Sequence, residues 1–195
     1  MQICKNKVEE SLEIDTLRGY EGNAANEYWN AFPTLFKNDI FEMKGRNRRP
    51  PKDEVNAMLS YGYSLLLRDV VAACLESGFD YMLGFFHSIV PGRPALALDM
   101  MEPFRPLIVD SIVLRIINEN IVSKSGFAVT DAGVFMKPET KKSVIYMYEK
   151  RMDELVTHPM FEYRISYRRM LYLEMKLLGK YISGEIDDYT PLMTR

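Results

Sequence analysis

Cysteine is scarce in this chain: two residues in 195. Cys4 and Cys74 match no zinc or redox spacing, which excludes a disulfide framework and a thiolate metal site. Such usage fits a reduced, cytoplasmic protein, with Cys74 a small core residue. Histidine is equally scarce, limited to His87 and His158. The longest apolar run, Leu107 to Val122, is broken by Asp110, Arg115, Asn118, Glu119 and Asn120. It reads as an amphipathic helix rather than a membrane span, so no membrane partner is expected. QICKNKVEE is charged where a secretory signal needs an apolar stretch. There is no Walker loop, no dinucleotide glycine pattern, no HExxH and no GxSxG, which removes the best-marked nucleotide-binding and hydrolase classes. No internal repeat appears. The formal net charge is -2, which argues against polyanion binding over the whole surface but permits a local basic cleft.

What is present is a chain that is 47% hydrophobic and of a length that suits one domain. Residues 1–14 read as a linker or lead-in helix. Asp15 is placed to cap a helix from Thr16 to about Ala31, ended by Pro33. Asp53 caps a long helix to Ser77, closed by Gly78. A helix from Ala95 contains Pro103 and Pro106, so a kink or restart is expected there. Phe127, Val129 and the run from Val134 to Met136 leave room for one small hairpin. Thr140 to Thr157 and Tyr163 to Ser183 read as the last two helices, the first with Ile145, Met147, Tyr148, Met152 and Leu155 inward. His158 falls at a helix end, where a cap is the expected role. Strand signals are too few for a central sheet. Periodicity therefore predicts an all-α fold, a bundle of about six helices with a basic loop.

The stretch GFFHSIVPGRPALALDMMEPFRP, Gly84 to Pro106, concentrates the chemistry. It holds His87, Arg93, Asp99, Glu102 and Arg105. On a helix Asp99, Glu102 and Arg105 share one face. Two carboxylates in so apolar a run need a cationic partner. Either a divalent metal meets them, with His87 as nitrogen ligand, or Arg93 and Arg105 neutralise them and His87 caps the preceding turn.

Two further features invite a ligand. KGRNRRPPK puts Lys44, Arg46, Arg48, Arg49 and Lys52 in one loop that Pro50 and Pro51 keep from becoming helical. Phosphate contact is the sharper reading and a solvated surface the plainer one. Asn56, in the first turn after this loop, reads either as a polar hand toward a ligand or as a surface amide. Glu21 lies between Gly19 and Gly22, each costing helix propensity by roughly 1 kcal/mol. Close approach of a neighbouring backbone or of a ligand would explain that cost.

Four phrases, in order, resemble one family: LRGYEGNAANEYW, FEMKGRNRRPPKDEVNAMLSYGYSLL, GFFHSIVPGRPALALDMMEPFRPLIVD and YRISYRRM…GEIDDYTPLMTR. They are similar to the C-terminal helical domain of the CRISPR-associated adaptation integrase, the endonuclease that inserts spacers into a CRISPR array. The resemblance runs from about Leu17 to Arg195. It implies that residues 15–195 form the helical catalytic domain, with the family's N-terminal β-rich domain outside this chain. It implies a Mn²⁺ or Mg²⁺ held by Glu21 in the EG motif, His87 in the GF-x-H motif and Glu102 in the D-x-x-[DE] motif, with Asp99 as the nearby second acid. Arg93 and Arg105 match basic positions along the DNA path, Arg46, Arg48 and Arg49 an arginine-rich DNA-contacting loop, and Asn56 the start of the next helix. The implied reaction joins a DNA 3′-hydroxyl to a phosphodiester of the repeat. Implied partners are double-stranded and branched DNA, a second copy of the chain, and a small CRISPR-associated protein. Two other readings stay open: a non-catalytic helical DNA-binding or scaffold fragment, and a transposon-encoded relative.

Overall fold

Helices at the positions of the predicted bundle dominate a computed structural model that describes residues 13–158 and 161–192. Among these residues the order is α1 (Ile14–Ala31), α2 (Glu54–Glu76), α3 (Ala95–Met101), a π-helical turn (Arg105–Asp110) and α4 (Ser111–Asn118). There follow strands β1 (Phe127–Thr130) and β2 (Gly133–Met136), α5 (Pro138–Asp153), strands β3 (Leu155–Thr157) and β4 (Arg164–Ser166), and α6 (Tyr167–Ile182). Most of the lead-in expected over residues 1–14, and Cys4 with it, lies outside the described residues.

α2 is the central element because its sequence is apolar on most of its surface. Asp53 is extended and its carboxylate accepts from the Asn56 N–H at 2.7 Å, which satisfies an otherwise unpaired donor of the first turn. Val55, Met58, Leu59, Leu66, Val70 and Ala73 are buried along it. α2 is long and apolar enough to cross a membrane by length and composition alone, and core packing accounts for that apolarity. α3, α5, α6, β2 and the π-helical turn all pack against it. Cys74 is fully buried there, and burial pushes its thiol up to about 11, as expected of an inert core sulfur.

The prolines act where expected. α3 stops at Met101, and the chain restarts through the widened turn that begins at Arg105. Neither Pro103 nor Pro106 can donate to the preceding turn, so the regular ladder is interrupted between Glu102 and Ile108. α1 differs in one detail: it begins at Ile14, and Asp15 lies inside its first turn, 2.7 Å from Arg18, instead of capping it.

The all-α expectation is wrong. β1 pairs antiparallel with β2, Phe127 opposite Met136 and Thr130 opposite Gly133, which is the hairpin anticipated. β3 pairs antiparallel with β4, Leu155 opposite Ser166 and Thr157 opposite Arg164. The fold is therefore mixed, helical with two small sheets. The second hairpin was hidden inside two helix assignments. α5 ends at Asp153, where Glu154 turns extended, and α6 begins only at Tyr167. A three-residue strand is too short to show a two-residue period. The apolar residues of β3 and β4 extended the neighbouring helical patterns by accident. The α5 stripe is Val144, Met147, Tyr148 and Met152, while Ile145 and Leu155 are exposed. His158 is buried and closes the turn between β3 and β4: its N–H donates to Tyr163 O and its Nδ1 accepts from the Phe161 N–H.

Candidate active site

Asp99 organises the first half of the site from α3. Its side chain is 1% exposed. Its Oδ2 accepts from the N–H groups of Phe85 and Phe86 at 2.8 and 3.0 Å. Its Oδ1 accepts from the His87 N–H at 2.8 Å and lies 2.6 Å from His87 Nδ1. One buried carboxylate thus folds the loop 84–87 over the helix. Gly84 permits the approach, since a Cβ there would sit 2.7 Å from Ala95 C and Cβ and 2.8 Å from Asp99 Oδ2. With Nδ1–H donating to Asp99, His87 keeps its lone pair on Nε2. A carboxylate behind an imidazole is the usual way a metal-binding histidine is oriented.

Glu102 caps the C-terminal end of α3, and its Oε1 accepts from Arg105 Nη1 at 2.7 Å. Glu21 projects from α1. Glu21, Asp99 and Glu102 line a common cleft of about 780 Å³ whose walls include Phe85, Phe86 and Phe104. Glu21 and Glu102 thus share the cleft with Asp99, while His87 hangs on Asp99 from the adjoining loop without lining the cleft itself. Among the described residues no three His, Cys, Asp or Glu side chains are already drawn into a metal-holding group. The donor set nevertheless fits a hard divalent cation: two accessible carboxylates and one imidazole whose tautomer is fixed. Gly19 and Gly22 beside Glu21 meet nothing within 4 Å, so their cost is not explained by packing inside this chain.

A second groove, of about 190 Å³, is lined by Arg46, Arg48, Arg49, Arg105 and the hydroxyl side chains of Ser60, Tyr63 and Ser64. Four guanidinium groups from the basic loop and the π-helical turn therefore share one groove. Folding lays that loop against the first hairpin: Val134 N–H donates to Pro51 O at 2.9 Å. Gly133, with φ of +119°, packs where a Cβ would meet Pro50 Cβ and Pro51 O at 2.8 Å.

Arg46 and Asn56 sit deeper than their sequence positions suggested. Asn56 is fully buried. It accepts from Arg46 Nη1 at 2.7 Å and from the Asn47 N–H at 3.0 Å, and donates to Gly45 O and Asp53 Oδ2. It is neither a surface amide nor a hand held out to a ligand; it shapes the basic loop from beneath. Arg46 also donates to Ser60 Oγ and to Asn47 O, and lies over the Trp29 and Tyr63 rings. Burial lowers its pKa to about 10, still well above neutrality. Arg93 is half-buried ahead of α3 and lines neither cleft.

Sequence reasoning missed the node behind the arginines. Asp110 is buried and accepts from Tyr28 OH at 2.7 Å and from Tyr63 OH. Burial raises the Asp110 pKa, and burial beside Asp110 raises both phenols. The Tyr63 ring carries the Arg105 guanidinium 4.5 Å above it. An acid inside the apolar run PLIVDSIV was the available signal.

Over residues 1–150 the chain matches the model of a protein family described as CRISPR associated protein Cas1. A CRISPR-associated exonuclease Cas4/endonuclease Cas1 fusion from Geobacter sulfurreducens is 45% identical over 190 residues, 95% of this chain and 34% of that protein. A CRISPR-associated endonuclease Cas1 from Leptospira interrogans is 35% identical over 189 residues, 95% of this chain and 74% of that protein. Among solved structures, a CAS1 protein from Thermotoga maritima superposes with a TM-score of 0.86 at 30% identity, over 94% of this chain and 56% of that one. The chain thus spans about a third of the fusion and about half of the Thermotoga protein.

Proposed function

The chain belongs to the CRISPR-associated Cas1 family, and from that premise we propose that it forms the catalytic part of a metal-dependent DNA endonuclease and integrase of spacer acquisition. The reaction would join the 3′-hydroxyl of incoming DNA to a phosphodiester of the repeat. The observation that carries this reading is the adjacency of two clefts. One is lined by Glu21, Glu102 and the Asp99 that holds His87; the other is lined by four arginines, and Arg105 of the second is bonded to Glu102 of the first.

Glu21, Glu102 and His87 Nε2 would hold a Mn²⁺ or Mg²⁺. When bound, such an ion acidifies the attacking hydroxyl and neutralises charge gathering on the phosphate. Asp99 keeps the proton on His87 Nδ1 and so keeps Nε2 available as a donor. Arg48 and Arg49 hold flanking phosphates by charge-assisted hydrogen bonds. Asn56 and buried Arg46 fix the loop that carries them. Arg105, which lies between Glu102 and the Tyr63 ring, would hold the scissile phosphate. Arg93 would meet DNA farther along its path. The apolar wall of Phe85, Phe86 and Phe104 limits water around the carboxylates and strengthens their interactions. With water as nucleophile the same arrangement would cut. Such a protein works on branched and double-stranded DNA in the cytoplasm, and we propose a homodimer and a small CRISPR-associated protein as its assembly partners.

The test is strand transfer and nicking on branched DNA in Mn²⁺, with Glu21→Ala and His87→Ala alongside. Activity that needs metal and falls at least a hundredfold in both variants supports the reading. A second reading is favoured by the lack of a ready-made metal group among the described residues: a DNA-binding fragment without turnover. DNA binding with no metal response, and no effect of either substitution, would favour it.

A further inference from the structure

α1 carries Glu21 yet buries none of its residues fully. Its aromatic end is anchored to the rest of the fold by Trp29, whose ring lies 5.8 Å from the Arg46 guanidinium, and by buried Phe32 just beyond it. Glu21 lies about two turns from that end, on a stretch with no fully buried side chain. With so little burial of its own, α1 leaves the position of Glu21 to be set by the polar contacts along its length.

Two polar contacts bracket Glu21. Three residues before it, Arg18 Nη2 donates to Phe86 O at 2.5 Å, with the guanidinium 5.8 Å from the Phe86 ring. Seven residues after it, Tyr28 OH donates to Asp110 Oδ2 at 2.7 Å. The far ends of these contacts matter. Phe86 precedes His87 and is itself bonded to Asp99. Asp110 ends the π-helical turn that begins at Arg105, three residues beyond Glu102. Arg18 therefore sets α1 against the loop that bears His87, and Tyr28 sets it against the segment that bears Glu102. Asp15 is an exposed second partner of the same guanidinium, at 2.7 Å.

We propose that Arg18 and Tyr28 are positioning residues that set where Glu21 stands relative to His87 and Glu102. The inference rests on the metal-dependent reading of the site. Neither residue touches the metal or the DNA in this account; each acts through the placement of Glu21. The arrangement also fits the two glycines beside Glu21, since a helix segment with little grip of its own needs external alignment.

The test titrates Mn²⁺ into the metal-free protein by electron paramagnetic resonance, in the absence of DNA. Wild type, Glu21→Ala, Arg18→Leu, Arg18→Lys and Tyr28→Phe are compared. Arg18→Leu and Tyr28→Phe should each weaken Mn²⁺ binding by about tenfold, and Arg18→Lys should recover part of the loss because its ammonium can still donate to Phe86 O. DNA affinity of Arg18→Leu in EDTA should stay within twofold of wild type, which a general structural defect would not allow. Amide exchange in metal-free protein reads the same clamp without metal and should quicken over residues 16–23 in both variants. Wild-type Mn²⁺ affinity and unchanged exchange in these variants would overturn the clamp and leave the metal site standing. No Mn²⁺ binding by wild type would overturn the metal reading and, with it, the role given to the clamp, whatever the exchange shows.

Discussion

Asp99 meets four donors within 3.0 Å on a side chain that is almost wholly buried, whereas Glu21 stands exposed on a helix with no fully buried residue. Both belong to one candidate site. The His87 half is built by folding itself, because the loop cannot close over α3 without satisfying Asp99. The Glu21 half is brought into line by contacts at a distance. Firm placement of donors on one side and placement through remote contacts on the other would suit the DNA-processing role proposed above.

The comparison can be broken most severely at Asp99. Asp99→Ala leaves three N–H groups and one imidazole without their acceptor and should lower stability by about 3 kcal/mol. Urea denaturation reads this, and a loss below about 1 kcal/mol would show that the loop is held by other means. Next in size is Asp110→Ala, which strands the hydroxyls of Tyr28 and Tyr63 and should cost about 2 kcal/mol.

The same residue sharpens the comparison through pH. Burial raises the Asp110 pKa from its ordinary 3.8, so the folded state binds that proton more tightly than the unfolded chain. Its contribution is fully present below pH 3.8 and is lost as pH rises through the raised value. Asp110→Asn should remove that part of the pH dependence, seen as a difference between the two stability profiles above pH 3.8. Parallel profiles would contradict it.

Weaker effects test the arginine groove and the outer helix. Arg48→Ala with Arg49→Ala should reduce the salt dependence of DNA binding by a slope of about two with the fold unchanged. An unchanged slope would make the loop a solvated surface. Smallest of all, Asp15→Ala removes an exposed partner of Arg18 and should change stability by less than about 0.5 kcal/mol. A larger change would mean that Arg18 depends on Asp15 for its reach to Phe86.

Much of this was legible wherever a local signal had a local cause. Asp53 and Gly78 bracket α2 because capping and a left-handed residue are decided by neighbours in sequence. Pro103 and Pro106 announced the break between α3 and α4. The first hairpin showed its alternation. The second did not, since Val156 and Ile165 lie in strands three residues long. At the site, the sequence placed Asp99 and Glu102 near one another, and spacing reveals that much. It did not reveal that Asn56 lies under the basic loop, or that Asp110 joins Tyr28 and Tyr63 across 82 and 47 residues of chain. Those contacts depend on how helices cross, which periodicity does not encode.

The most direct measurement is diffraction from crystals soaked in Mn²⁺, with data collected at the manganese edge. One anomalous peak contacted by Glu21, Glu102 and His87 Nε2, with Asp99 still on His87 Nδ1, is the expected result. An empty cleft at saturating Mn²⁺, or a peak that leaves His87 untouched, would contradict the account.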